Sequence, residues 1–348
     1  MPGEFETHMG CWMLWPERTD NWRLGAKPAQ WAFSAVATAI DKFEQVTVCA
    51  SPGQYRNARQ MLPPGVRVVE MTANDAWMRD CGPTFVINDR GRLRGVDWEF
   101  NAWGGLNGGL YFPWDQDELV AQKVLEIENC DRYPAGMILE GGSLHVDGMG
   151  TLITTEECLL NPNRNPGLNR EEIETKLCEF LNVEKIIWLK RGIYQDETSG
   201  HLDNLVSFVR PGVLALTWTD DPTDPQFEIS HEALELLSIQ SDARGKYFDI
   251  HKIHQPGPLF VKDSECAGID EIQGTLPRKP GHRLAGSYTN FYIANGGVIV
   301  PIYDDPYDQP ALECIQGLFT ERKVVPVPAR EILLGGGSIH CITQQQPK

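Results

Sequence analysis

Apolar residues along this chain gather in short runs, parted by polar stretches rich in glycine and proline. "VTVCAS" (46–51), "VRVVEM" (66–71), "KIIWLK" (185–190) and "GVLALTW" (212–218) predict strands, being short, β-branched and apolar. In "KPAQWAFSAVATAIDKF" (27–43) and "SHEALELLSI" (230–239) the apolar positions recur at helical spacing instead. "DQDELVAQKVLEIE" (115–128) and "NREEIETKLCEFL" (169–181) predict helices that open on Asp115 and Asn169, with acidic first turns. Strands and helices therefore alternate, which is the α/β class. No low-complexity linker interrupts residues 1–348, so a single domain is expected.

A weak internal repeat overlies this alternation. "LEGGSLHV" (139–146) and "LGGGSIHC" (334–341) share Gly-Gly-Ser, an aliphatic residue and His. Three further segments run from polar residues into an apolar strand: "RDCGPTFVI" (79–87), "SGHLDNLVSFV" (199–209) and "SYTNFYIANGGVIVP" (287–301). Their landmarks, Asp80, Glu140, His201, Asn290 and Cys341, lie about 50–90 residues apart. Strand-helix units at such a period suggest modules around an axis. The strand starts would then converge and bring Cys341 beside Asp80, Glu140 and His201.

Composition narrows the function. With 41% hydrophobic and 23% charged residues the chain has ordinary globular content. A net charge of −17 argues against nucleic acid and anionic membranes, and suits a cationic small molecule. Nine cysteines, an odd number with no Cys-x-x-Cys and no visible secretory signal, read as reduced thiols of a cytoplasmic protein. No apolar stretch approaches the roughly 18–20 residues of a membrane span. Phosphate-cradling glycine loops are absent, so no nucleotide cofactor is expected. "DIHKIH" offers His251 and His254 without partners at ligand spacing, so no metal is expected either.

The landmarks carry chemistry together. His201 and Asp203, at i and i+2 on a strand, would face one site. A thiol needs deprotonation to attack, and an imidazole can take its proton or pair with the thiolate. The carboxylates left over exceed what a plain Cys-His hydrolase needs. They suit a planar cation, and a guanidinium presents five donors in a fork that carboxylates match. The expected reaction is attack of the thiolate on the guanidinium carbon. Ammonia leaves with a proton from the imidazolium, and an S-alkylthiouronium remains on the cysteine. Water then releases a ureido product.

At these residues the sequence resembles agmatine deiminases, a branch of the guanidino-modifying enzymes. The resemblance runs nearly end to end, through "MPGEFETHMGCWMLWPERTDNWR", "NDAWMRDCGPTF", "EFNAWGG", "LEGGSLHVDG", "NPNRNPGLN", "GHLDN", "WTDDPTDPQ", "NFYIANGG" and "GGGSIHCITQQQP". It implies a five-module α/β propeller with pseudo-fivefold symmetry and a central active site. It also implies a homo-oligomer (dimer or tetramer), no cofactor, and conversion of agmatine to N-carbamoylputrescine and ammonia. By motif, Cys341 is the nucleophile and His201 the acid-base group. Glu140 partners His201 and one guanidinium nitrogen, and Asp80 and Asp203 grip the guanidinium. Trp77 and Trp103 are expected to wall the substrate stem, and Asp196 or Glu197 to meet the distal ammonium. Cys81, beside Asp80, is a departure from the family pattern and a minor rival nucleophile. The alternatives are a deiminase of arginine or peptidyl-arginine, with Arg79 or Arg210 taking the α-carboxylate, a Cys-His amidase or protease, and an inactive guanidine-binding sensor.

Overall fold

The computed structural model describes residues 1–270, 272 and 278–348. Sixteen strands lie in five sheets among the described residues. In the first, β1 (His8–Leu14), β2 (Gln45–Ala50) and β3 (Arg67–Glu70) run parallel, and β16 (Gln344–Pro347) lies antiparallel on β1. The second sheet holds β4 (Thr84–Ile87), β5 (Leu93–Glu99) and β6 (Asp131–Ile138). The third holds β7 (Leu144–Val146), β8 (Thr151–Thr155) and β9 (Lys185–Leu189). The fourth holds β10 (Val206–Arg210), β11 (Val213–Trp218) and β12 (Asp249–His254), and the fifth β13 (Tyr292–Ile293), β14 (Gly297–Ile302) and β15 (Lys323–Pro328).

One pattern governs all five. The first strand is antiparallel to the middle one, and the third is parallel to it. The first sheet repeats this pattern if β16 is taken as its opening strand, with β3 added at the far edge. The chain therefore borrows its last strand to complete its first sheet. Of the middle strands, β11 and β14 read as near-continuous apolar runs, and β11 is buried at every position. Pro326 and Pro328 sit on β15, an edge strand, where no ladder donor is missed.

The helices lie close to where periodicity puts them. Helix Lys27–Ile40 buries Phe33, Val36, Ala37 and Ile40, one stripe at spacings of three and four. Helix Arg170–Leu181 opens on a full capping box. Asn169 accepts the Glu172 N–H at 3.0 Å, and Glu172 accepts the Asn169 N–H at 2.8 Å. The helix at 230–239 starts earlier, at Gln226, because Asp224 accepts the Gln226 N–H at 2.9 Å. Asp115 does not cap the helix expected at 115–128. That segment is a 3-10 turn (Asp117–Leu119) followed by helix Val120–Ile127. Buried Asp117 instead accepts the N–H groups of Asn74 at 2.6 Å and Asp75 at 3.2 Å, and the Tyr111 hydroxyl. Its carboxylate thus pins the loop that leads to Trp77 and Asp80. No helix among the described residues is long and apolar enough to cross a membrane.

Candidate active site

The polar landmarks occupy equivalent places in the five sheets. Asp80 precedes β4, Glu140 precedes β7, His201 and Asp203 precede β10, Asn290 precedes β13 and Cys341 precedes β16. Their side chains meet at one buried point. Gly142 sits at its hub. The Gly142 N–H donates to Asp80 Oδ1 at 2.9 Å, and its carbonyl accepts the N–H groups of Leu202 and Asp203 at 3.0 and 3.1 Å. A Cβ there would stand 2.6 Å from His201 Nδ1 and 3.0 Å from the carboxylates of Asp80 and Asp203. Only glycine lets these groups close in.

Cys341 is 6% exposed and borders the main cavity. Its Sγ lies 3.5 Å from Asp203 Oδ2 and accepts from Asn290 Nδ2 at 3.4 Å. Burial pushes the thiol well above its ordinary range, and the charges of Asp203 and Asp80 push it further. The side chain is a neutral thiol until a positive charge enters beside those carboxylates.

His201 stands between two acids. Its Nδ1 is 3.9 Å from Asp80 Oδ2 and its Nε2 is 3.7 Å from Glu140 Oε2. Both distances are too long for hydrogen bonds but short for charge pairing. Burial works against its charge, yet Asp80 and Glu140 outweigh burial and raise it well above the usual histidine value. It is an imidazolium at neutral pH. Burial lifts Asp80 to about 6, opposed by His201 and aided by Asp203 and Glu140. Burial would lift Glu140 as well, but the Arg164 guanidinium at 2.7 Å, with His201, holds it at about 2.

A second tier of buried groups, which no local motif announces, stands behind these residues. His340 Nδ1 is 2.8 Å from Asp203 Oδ2, and its Nε2 is 2.8 Å from Glu4 Oε2. Glu4 also receives the Ile293 N–H at 2.8 Å. Burial disfavours a charged Asp203, but His340 outweighs it and keeps the carboxyl low. A signal existed in the repeat. His145 of "GGSLH" and His340 of "GGSIH" hold equivalent places, and their rings stack at 4.9 Å. Arg164 lies in "NPNRNPGLN", a segment quoted above as carrying the resemblance.

The cavity above Cys341 has a volume of about 550 Å³, and Asp80, Trp77, Trp103 and His201 line its inner part. The two indoles meet edge to face at 6.2 Å. The Trp103 Nε1–H donates to Asp80 Oδ2 at 3.0 Å, and that of Trp77 to Asp75 Oδ2 at 3.0 Å. Trp103 has φ 62°, a left-handed conformation that aims its ring inward. Glu197 also borders the cavity but is already paired with Arg278. Asp196 is directed elsewhere. It is not among the cavity's lining residues, and its carboxylate accepts the N–H groups of His201 at 2.7 Å and Thr198 at 3.1 Å. It shapes the turn that presents His201, because a carboxylate two and five residues upstream of free N–H groups closes that turn locally. Arg79 and Arg210 do not line the cavity either. Arg79 binds Gln345 at 2.6 Å, and Arg210 the Leu318 carbonyl at 3.0 Å. The arginines that do line it are Arg18 and Arg278. Arg18 is held bidentately by Asp20 at 2.6 and 2.7 Å. Cys81 is buried away from the cavity and donates to the Trp77 carbonyl at 3.2 Å.

Known proteins resemble this chain along its whole length. An agmatine deiminase of Pseudomonas syringae pv. tomato is 60% identical over 100% of this chain and 95% of its own. A solved structure described as agmatine deiminase of Enterococcus faecalis catalyzing its reaction superposes with a TM-score of 0.98 at 52% identity, covering 100% and 95% of the two chains. A cysteine-to-serine agmatine deiminase of C. jejuni, determined with substrate bound, gives a TM-score of 0.86 at 27% identity, covering 100% and 96%. The model of the Porphyromonas-type peptidyl-arginine deiminase family matches residues 1–347, and the chain belongs to that family of guanidino-modifying enzymes.

Proposed function

We propose that this protein is a hydrolase that converts agmatine and water to N-carbamoylputrescine and ammonia, with Cys341 as nucleophile. The observation that carries the reading is one thiol, one imidazolium and Asp80 lining a cavity of about 550 Å³, with the carboxylates of Asp203 and Glu140 packed directly behind them. Such a cluster of carboxylates suits a planar cation. Asp80 and Asp203 grip the guanidinium, and Trp77 and Trp103 flank the stem. The incoming charge cancels the field of the two carboxylates, so the Cys341 proton is expelled to solvent and the thiolate attacks the central carbon. The carbon becomes tetrahedral. His201 gives its proton to the departing nitrogen, and ammonia leaves the S-alkylthiouronium behind. Neutral His201 then takes a proton from water as the oxygen attacks. The carbon–sulfur bond breaks, the hydroxyl proton passes to solvent, and the neutral ureido product and the thiolate result. Glu140, kept ionised by Arg164, favours the imidazolium at both proton transfers.

The finer architecture belongs to the same reading. Five sheets with one repeated strand order support a five-module α/β propeller in a single domain, with pseudo-fivefold symmetry about the site. Nine free cysteines support a cytoplasmic setting. A homo-oligomer, dimer or tetramer, follows from the family resemblance.

A second reading, deimination of free arginine, is favoured by the position of Arg18 and Arg278 on the cavity wall. Both already have carboxylate partners, so an added α-carboxylate would have to break an ion pair. Incubation with agmatine, arginine and a peptidyl-arginine in parallel separates the readings. N-carbamoylputrescine and ammonia are the expected products, with kcat/KM for arginine lower by at least about 10²-fold. Comparable values for arginine would replace agmatine as substrate, and no ammonia from any of the three would sink the deiminase reading.

A further inference from the structure

One buried thiol beside the site has no part in the reaction above. Cys158 lies on the turn Glu156–Leu159, wholly buried, with its N–H held by Thr155 Oγ1 at 3.2 Å. Its Sγ is 3.8 Å from Glu140 Oε2, and the same oxygen is 3.7 Å from His201 Nε2. The three donor atoms all lie within 4.8 Å of one another. His201 Nε2 is buried. Among the described residues this ring nitrogen makes no hydrogen bond, and it faces a thiol and a carboxylate at close to ligand spacing.

The donor set selects its metal. Thiolate, imidazole and a single carboxylate oxygen suit a borderline-soft ion, whereas Mg²⁺ and Ca²⁺ want oxygen throughout. Tetrahedral Zn²⁺ has bonds of about 2.0–2.3 Å to these atoms, which sets ligand-to-ligand separations of roughly 3.3–3.6 Å. The observed triangle needs to contract by only a few tenths of an ångström at its two measured edges. Glu140 would bind through Oε2 alone, since Arg164 holds Oε1 at 2.7 Å. His201 borders the main cavity, so the ion arrives by the substrate's own route.

We propose that Glu140, Cys158 and His201 form an inhibitory Zn²⁺ site. The ion displaces two protons to solvent, one from Nε2 of the His201 imidazolium and one from the Cys158 thiol, and takes the electron pairs they leave. No redox change occurs, and the imidazole can no longer serve as acid or base. Histidines 251 and 254, the pair the sequence draws attention to, do not belong to this cluster. Cys341 does not belong to it either, which distinguishes the site from simple capture of the nucleophile.

The activity arm of the test rests on the deiminase reading; the binding arm does not. Ammonia release from agmatine is titrated with zinc chloride, with magnesium chloride as control. Micromolar zinc should inhibit, EDTA should restore turnover, and magnesium should do nothing. Cys158→Ala should turn over normally without zinc and need at least tenfold more zinc for half inhibition. Cys158→Ser, nearly isosteric, serves if the alanine variant folds poorly. Equal zinc sensitivity in the variant, or none in the wild type, overturns the proposal. For binding, Co²⁺ is added to Cys341→Ser. A thiolate-to-cobalt absorption band should appear and vanish in Cys341→Ser/Cys158→Ala. A band that survives loss of Cys158 also overturns the proposal. If the band behaves as expected but the wild type releases no ammonia from agmatine, the metal site stands and the functional reading falls.

Discussion

His201 and His340 are both buried, and each lies between two carboxylates, yet they are held in opposite ways. His201 keeps its acids at 3.7 and 3.9 Å and leaves Nε2 without a hydrogen bond. His340 is clamped at 2.8 Å on both ring nitrogens. Long contacts hold a charge without consuming the proton, so the proton stays free to move. Short contacts consume both protons and fix the ring. The neighbouring carboxylates raise both pKa values, but only the loosely held ring can serve as acid and base. The clamped one fixes Asp203 and, through it, the surroundings of the Cys341 sulfur.

The largest effects should fall on the loose side. Cys341→Ser and His201→Asn should each lose about 10³-fold or more in kcat while the fold persists. Because they act as a unit, the double variant should be little worse than either single one. Clean additivity, measured by ammonia release, would separate the two residues functionally.

His340→Asn should behave differently. It removes the shared partner of buried Glu4 and Asp203, leaving Glu4 paired with Arg79 at 3.4 Å, and should cost about 3–5 kcal/mol of stability in urea unfolding. Its kcat should fall by only about 10²-fold or less, through misplacement of Asp203. A loss equal to that of His201→Asn, with stability unchanged, would reverse the two roles.

The clamp also has a pH signature. Burial opposes charge on Glu4, but His340 and Arg79 outweigh it and hold Glu4 well below its usual value. That stabilisation is present above about pH 4.3 and fades as pH falls. Burial and Arg79 oppose charge on His340, but Glu4 and Asp203 raise it. Its contribution is full below about pH 6.5 and fades as pH rises through the folded value. The stability gap between wild type and Glu4→Gln should therefore peak between about pH 4.3 and 6.5. A gap that is flat across pH 4–9 would mean the clamp carries no net charge.

The smallest effect is expected at Cys81→Ser. Serine can still donate to the Trp77 carbonyl, so activity should change by less than about twofold. During turnover, acid-quenched wild type should carry the substrate adduct on the Cys341 peptide. An adduct on Cys81 alone would move the nucleophile.

Much of this was legible in the chain. The apolar runs at 46–51 and 212–218 lie within a residue of β2 and β11, interior strands that need apolar sequence, and the run at 185–190 lies within a residue of β9, an edge strand whose last three residues are buried. The landmark residues could be named because glycine and a polar group recur together at each strand start. The second tier was harder to read. Glu4 lies 336 residues from His340, and no local pattern announces a contact at that range. Asp115 is the cap the local pattern offers, whereas the acid that matters is Asp117, whose partners Asn74 and Asp75 are 43 and 42 residues away. Asp196 and Glu197 were read as substrate ligands from position alone. Whether an acid faces a cavity or a backbone N–H depends on a turn that spacing does not encode.

The loan of β16 to the first sheet has a consequence for biosynthesis. Trp12 donates to Gln346 across 334 residues, so β1 emerges from the ribosome long before its antiparallel neighbour exists. Until then that edge of β1 offers unpaired backbone groups to any passing strand, a hazard a chaperone would have to cover. The nascent chain meanwhile carries every carboxylate of the site and the imidazole, but not the Cys341 sulfur. The segment that carries that sulfur is continuous with the strand that completes the first sheet, so one late stretch of chain delivers both.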